Sequence, residues 1–216
     1  MNKINILLTR ANGNLSDKKE VIEKAVKVAE EYIFPKLKID WDIDVLVTNR
    51  LYDILILEDG VGGRTRAFDF IEFAVNQEKA TENLISEMLV HELCHAARWG
   101  KNDEWIASLF DGIINEGIAT YFEAEFIKNR NKRTVFIKTI LDRSNEENEK
   151  ILDLVRDRLD SNEYDYNKIF FTGNNKLPRW SGYSLGFYLV KKYLEKTGKT
   201  IEGAFADKYV DFKIIL

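Results

Sequence analysis

The stretch VHELCHAARWG, residues 90–100, contains both histidines of this 216-residue chain, His91 and His95. Glu92 follows the first histidine directly, and residues 81–99 around the pair show helical periodicity with few breakers. On a helix, residues i and i+4 lie on one face about one turn apart, so both imidazoles can point a nitrogen at a common ion. The stretch therefore predicts a helix that carries a two-histidine clamp for a metal such as zinc.

The predicted helix places the two histidines on a stripe with Leu84 and Met88, where its side chains would otherwise be apolar and turned inward. Two core histidines satisfied by hydrogen bonds are the alternative interpretation of this stripe. Glu92 favours the metal interpretation, because the pattern H-E-x-x-H combines two zinc histidines with a glutamate that can act as a general base.

A third zinc ligand must be a carboxylate or Cys94, because catalytic zinc takes three protein ligands and the chain has no further histidine. Glu116 lies on a helical stripe whose other members are Leu109, Ile113, Thr120 and Ile127. A carboxylate on an inward stripe is costly without a cation, and Gly117 beside it leaves room for a ligand. Cys94 lies off the histidine stripe, where a free cysteine is usually a small buried hydrophobe. Glu116 is therefore the predicted third ligand, and a surface glutamate is its alternative interpretation.

The composition is that of a globular protein, with 45% hydrophobic residues, enough for a packed core. The 36 acidic and 32 basic residues are spread evenly, so no basic stripe for nucleic acid is present. The apolar run INILL near the start is too short for a secretory signal, and no later run approaches the roughly 20 residues of a membrane span. We expect a soluble, cytoplasmic protein. The single cysteine fits a reducing compartment.

The N-terminal half has the patterns of a sheet with helices. Asp17 and Glu20 form a possible capping box that opens a helix, and glycines 62 and 63 indicate a turn. The predicted strands are INILLT at 4–9, LKIDWDIDVLV at 37–47, ILILE at 54–58 and a fourth at about 67–75.

The C-terminal half has the patterns of helices. Helical periodicity covers residues 81–99, 103–128, 146–160 and 181–197, and residues 161–180 form the longest candidate loop. The predicted fold class is α+β, with a mixed β-sheet and helices in the N-terminal half and a mostly helical C-terminal half. We predict a single domain, 1–216, with a sheet-containing lobe at about 1–80 and the helical lobe at about 81–216.

Three segments resemble a known family: HELCHAARW at 91–99, NEGIATYFEAEF at 115–126 and WSGYSLGFYLVKKYLEKTG at 180–198. HELCH followed after twenty residues by Glu116 resembles the gluzincin metallopeptidases, and the three segments together resemble the bacterial YjaZ-like predicted zinc-dependent proteases. The resemblance implies a zincin-like fold with the active-site helix between the two halves. It also implies one zinc ion and a peptide or protein substrate. One departure is Thr120, which stands where thermolysin-like gluzincins have an aspartate that orients a histidine.

The predicted activity is peptide-bond hydrolysis by zinc-activated water, with Glu92 as general base. Position and resemblance indicate Tyr183 as a second catalytic residue that donates to the oxyanion. Simple core packing is the alternative for this tyrosine, because Tyr183, Phe187, Val190 and Leu194 also form a helical stripe.

A peptide substrate of such an enzyme would lie as an added strand along a sheet edge. Residues 67–75 are the candidate edge, and a buried central strand is the alternative. Endopeptidase action is favoured over aminopeptidase action. Two rival functions use the same residues: a catalytically silent zinc-binding scaffold that acts as a binding or regulatory module, and a zinc hydrolase of non-peptide amides.

Overall fold

The structure is a computed structural model that describes residues 3–11, 13–102, 104–128, 130 and 133–216. It contains a four-stranded sheet whose strands are β1 (Ile4–Leu8), β2 (Ile43–Thr48), β3 (Val61–Ala67) and β4 (Phe70–Val75). The α-helices are α1 (Lys19–Leu37), α2 (Glu82–Lys101), α3 (Leu109–Ile127), α4 (Val135–Leu141), α5 (Asn145–Val155), α6 (Ser181–Thr197) and α7 (Ile201–Ala204). This combination confirms the α+β prediction. None of the described helices is both long and apolar enough to cross a lipid bilayer.

The sheet has the strand order β1-β2-β4-β3 and is mixed. Strands β1, β2 and β4 run parallel, and β3 pairs antiparallel with β4 through a short turn. Strand β4 is therefore an inner strand, so the prediction that residues 67–75 form the sheet edge is wrong. The edge next to β4 is β3, which contains the two glycines that were predicted to form a turn.

The chain divides into two compact units, and the first contains Met1–Asn102 with Glu125–Val135. Its core forms where the helices cover the sheet, because α1 packs against α2 and α2 packs against β3 and β4. The apolar positions of β2 that alternate along the strand, Ile43, Val45 and Val47, are at most 1% exposed. Alternate burial of this kind is what a period of two produces in a strand that packs on helices.

Three details of the first unit differ from the sequence predictions. Helix α1 begins at Lys19 without a side-chain cap, after a single 3₁₀ turn that contains Asp17, so the capping box is not formed. Strand β2 begins only at Ile43, because α1 continues to Leu37. Residues 54–58 form turns with one isolated bridge instead of a strand, and the chain reverses at Gly60, whose φ of +70° favours glycine.

The second unit contains Asp103–Ala124 and Phe136–Leu216 and is helical. The helices predicted at 103–128, 146–160 and 181–197 are present as α3, α5 and α6, although α3 begins only at Leu109 and α5 ends at Val155. The sequence did not predict the short helix α4 or the π-helical turn Asn167–Thr172, which lies inside the predicted loop. The prediction that residues 1–216 form a single domain stays a prediction.

Helices α3 and α6 meet at two glycines. A Cβ on Gly117 would lie 2.3 Å from the carbonyl carbon of Gly186, and a Cβ on Gly186 would lie 2.2 Å from the carbonyl oxygen of Ile113. The two backbones can approach this closely only because neither residue has a side chain. The space beside Gly117 is therefore filled by α6, and the prediction that it leaves room for a ligand is wrong.

Candidate metal centre

The two histidines lie in the middle of α2, where they project from one face of the helix. Thr81 begins this helix as its N-cap, since its side chain accepts a hydrogen bond from the backbone N–H of Leu84. The Nε2 atoms of His91 and His95 lie 3.1 Å apart, and their rings are 4.8 Å apart at an interplanar angle of 74°. The i, i+4 spacing thus brings two imidazole nitrogens close enough together to bind one ion.

This separation fits two ligands of a tetrahedral zinc ion. Zn–N bonds of about 2.0–2.1 Å at a tetrahedral angle place two ligand nitrogens roughly 3.3 Å apart. The same 3.1 Å also allows one ring N–H to donate to the other ring, which is the structural alternative for a pair of core histidines. His91 is 3% exposed, so its ring is largely removed from water.

Strand β3 holds the carboxylate of Glu92 through Thr65. The Glu92 Oε2 atom accepts a 2.8 Å hydrogen bond from the Thr65 backbone N–H, and the Thr65 hydroxyl lies 2.8 Å from the same oxygen. The hydroxyl also lies 2.9 Å from the backbone oxygen of Glu92, so it can donate to either atom. Glu92 is 5% exposed, and these contacts fix one of its two carboxylate oxygens.

Gly63 allows β3 to approach the Glu92 side chain. A Cβ added to Gly63 would lie 2.2 Å from Glu92 Cγ and 2.8 Å from Oε1, distances that no side chain could accommodate without movement. The neighbouring Gly62 is equally constrained, since its Cβ would lie 1.9 Å from the carbonyl oxygen of Ile54. Gly62 and Gly63 are therefore explained by close approach inside a strand.

Glu116 lies near the middle of α3 in the second unit and is 8% exposed. The inward stripe predicted for this helix is confirmed, because Leu109, Ile113, Thr120 and Ile127 are all 0% exposed. Among the described residues, the Thr120 hydroxyl is buried without a hydrogen-bond partner. Thr120 therefore does not replace the aspartate that thermolysin-like gluzincins have at this position.

Among the described residues, His91, His95 and Glu116 form a group of side chains that could hold a metal ion. One candidate ligand atom from each residue lies within 4.8 Å of the other two. Two imidazole nitrogens and one carboxylate oxygen are a donor set that zinc accepts. The group contains no cysteine, and Cys94 is a buried free thiol, as expected for a small core residue.

Tyr183 lies in the first turn of α6 and is 7% exposed. Its ring contacts three phenylalanines edge-on, with centroid distances of 4.9 Å to Phe136, 5.6 Å to Phe170 and 6.0 Å to Phe171. These contacts are those of a packed aromatic cluster. They fit the core-packing interpretation and leave the oxyanion role as a prediction.

The sequence did not indicate Tyr166, which the structure places beside Glu116. The Tyr166 hydroxyl lies 3.5 Å from Glu116 Oε1, and the residue directly precedes the π-helical turn. A tyrosine in a loop rich in Asn, Asp and Tyr has no periodicity that would distinguish it. The π-helical turn, a form that is frequent at functional sites, is visible only in the fold.

Comparison with known families gives a match over residues 19–213, to a family described as predicted Zn-dependent protease, DUF2268. The chain belongs to the DUF2268 family. The match confirms the resemblance to the YjaZ-like predicted zinc-dependent proteases, and it covers the helices that carry Glu92, the histidines and Glu116. The description of DUF2268 implies zinc dependence and protease activity. No curated protein and no solved structure matches the chain.

Proposed function

We propose that this DUF2268 protein is a zinc-dependent peptidase of the gluzincin type, with His91, His95 and Glu116 as its metal ligands. The observation that carries the proposal is the 3.1 Å approach of the two Nε2 atoms, which suits two ligands of one zinc ion. The grouping of both histidines with Glu116 and the description of the family support it further.

Bound zinc would supply Lewis-acid activation of water and of the scissile carbonyl. Glu92 would act as the general base, taking a proton from water and delivering it to the leaving amine. The contacts with Thr65 support this role, because they hold Oε2 and leave Oε1 to accept the proton. Tyr183 is the proposed donor to the oxyanion, and a Tyr183→Phe variant with normal turnover would assign it to packing alone.

We expect the substrate to be an extended peptide that pairs with β3, the edge strand on the α2 side of the sheet. Main-chain hydrogen bonds to such an edge bind peptides of many sequences. Along β3 the side chains alternate: Thr65 contacts Glu92, whereas Arg64 and Arg66 form ion pairs with Glu72 of β4. A peptide on this edge would therefore lie next to the strand that holds the general base.

The experiment that tests the proposal measures zinc content and peptidase activity of the purified protein, with His95→Ala and Glu116→Ala as variants. We expect near-stoichiometric zinc in the wild type, loss of zinc in both variants, and chelator-sensitive cleavage of a peptide library. If the wild type binds no zinc even when it is supplied, the two histidines are structural and the proposal is wrong. Bound zinc without turnover on a broad library would favour the catalytically silent scaffold.

A further inference from the structure

Tyr166 faces the carboxylate of Glu116 across a short distance. Its hydroxyl lies 3.5 Å from Oε1, whereas O–H···O bonds usually end at about 3.0 Å, so a shift of about 0.5 Å makes an ordinary hydrogen bond. Tyr166 is 42% exposed, so part of its ring is in contact with solvent. A phenol can only donate to an ionised carboxylate, so the direction of this bond is fixed.

A buried aromatic residue holds Tyr166 in this position. The Tyr166 ring stacks on Phe170 with centroids 4.6 Å apart and an interplanar angle of 27°, and Phe170 is 0% exposed. The Phe170 ring packs directly against Gly182, because a Cβ on this glycine would lie only 2.5 Å from the ring. The orientation of the Tyr166 ring therefore rests on packed residues, although the tyrosine itself is in a loop.

Tyr164 precedes Tyr166 by two residues and provides a comparison within the same segment. Burial raises the pKa of Tyr164 above its ordinary value, and the negative charges of Asp111 and Glu116 raise it further. Of these two tyrosines, Tyr166 is the one whose hydroxyl reaches Glu116 among the described residues. Thr120, one turn further along α3, has no hydrogen-bond partner among the described residues and so does not orient a ligand.

We propose that Tyr166 is a positioning residue for zinc, which donates a hydrogen bond to Glu116 Oε1 and fixes the carboxylate as the third metal ligand. Ligating carboxylates are generally held by such outer partners, and loss of one typically weakens metal binding by about 10–100-fold. This inference rests on the proposed function for the identity of the metal and its ligands.

The test measures zinc affinity by competition with a chromophoric chelator, using zinc alone and no substrate. We expect Tyr166→Phe to bind zinc about 10–100-fold more weakly than the wild type, because it keeps the stacked ring and removes only the hydroxyl. Tyr164→Phe is the matched control, a second tyrosine of the same loop, and should bind zinc like the wild type. Thermal unfolding of both metal-free variants checks that the substitutions leave the fold intact.

A double-mutant cycle with Glu116→Ala separates positioning from a general structural effect, since this variant loses its zinc on purification but keeps two histidine ligands whose weaker affinity can be titrated with supplied zinc. If Tyr166 acts through Glu116, its hydroxyl no longer strengthens zinc binding once the carboxylate is removed. Tyr166→Phe should therefore not weaken zinc binding further in that background. Unchanged affinity of Tyr166→Phe, an equal loss in Tyr164→Phe, or a loss that persists in Glu116→Ala would each overturn the inference. A wild-type protein that binds no zinc would instead overturn the proposed function.

Discussion

Gly63 determines how closely strand β3 approaches the glutamate of the HELCH helix. The contact joins Gly63 to the Glu92 side chain, and Thr65 two residues further along β3 binds the Glu92 carboxylate. The sequence indicated Glu92 through its motif, since H-E-x-x-H is a local pattern on one helix. It could not indicate Gly63 or Thr65, because both lie on strand β3, far from the motif in the chain. Thr65 is 27 residues away from Glu92, so its contact depends on the fold.

The substitution Glu92→Gln should separate proton transfer from metal binding. The amide oxygen can still accept the Thr65 hydrogen bonds, but the side chain can no longer take up a proton. We expect zinc content to stay at the wild-type level and peptide hydrolysis to fall by about 10²–10⁴-fold. Zinc analysis and steady-state kinetics check this, with Glu82→Gln in the first turn of α2 as the control. Unchanged turnover would remove Glu92 from the mechanism.

The substitution Gly63→Ala should displace the general base and leave the metal ligands in place. The added Cβ would collide with Glu92 Cγ, so either β3 or the Glu92 side chain must move. Because a misplacement of about 1 Å can reduce a rate about 10²-fold, we expect a loss of that order in hydrolysis with zinc still bound. Gly203→Ala is the matched control, since a Cβ there meets its nearest neighbour at an ordinary 3.5 Å. Wild-type activity in Gly63→Ala would contradict the proposed role of the close contact.

Helix boundaries show where local sequence is a sufficient guide to an element. Helix α5 has a complete capping box, in which the Ser144 side chain accepts from the backbone N–H of Glu147 and the Glu147 carboxylate accepts from that of Ser144. At the start of α1, Asp17 and Glu20 have the same spacing, yet a 3₁₀ turn comes first and no cap forms. The sequence spacing of a capping box is thus necessary but not sufficient for one to form. The turn that precedes the helix also determines the geometry of the cap.

The capping box of α5 should make the stability of the protein depend on pH. Hydrogen bonds from the backbone and side chain of Ser144 lower the pKa of Glu147 in the folded protein. A depressed carboxyl pKa stabilises the fold above the ordinary value of the group, and this contribution is lost as the pH falls through the folded pKa. We expect Glu147→Ala to lower the Tm at pH 7 and the difference from wild type to close in acid.

Thermal unfolding from pH 7 down to about pH 3 measures this difference, over a window that spans the ordinary carboxyl pKa. Glu146→Ala is the control, because it removes the same charge from the first turn of α5 and breaks no capping bond. A Tm difference for Glu147→Ala that stays constant across this range would contradict the linkage.

Bound zinc should stabilise the folded state of the whole protein. A ligand that binds only the folded state at 100 times its Kd adds about 2.7 kcal/mol to the free energy of unfolding. We therefore expect zinc to raise the Tm of the wild type and a chelator to lower it, with no response to zinc in His95→Ala. Calorimetry with and without zinc measures this. An equal response in His95→Ala would mean that zinc acts elsewhere on the protein.

The sequence predicted the type of each half of the chain but not the borders of the compact units. Periodicity shows that residues 81–99 form a helix, and it does not show which elements that helix contacts. Helix α2 packs on the sheet and on α1, so it belongs with the first unit. Glu116, the proposed third ligand, could be singled out for a different reason. A charged residue on a buried stripe of α3 is unfavourable without a cation, and this is visible in the sequence of one segment.

The segment Glu125–Val135 belongs to the first unit, although the residues on either side of it belong to the second. Its end is bound by two buried carboxylates: Glu87 accepts from the Thr134 backbone N–H, and Asp59 accepts from that of Val135. Neither unit is therefore a continuous piece of chain. A fragment of the protein that ends at residue 102 would lack the two backbone donors that bind Glu87 and Asp59. The two units should therefore not fold as independently expressed fragments.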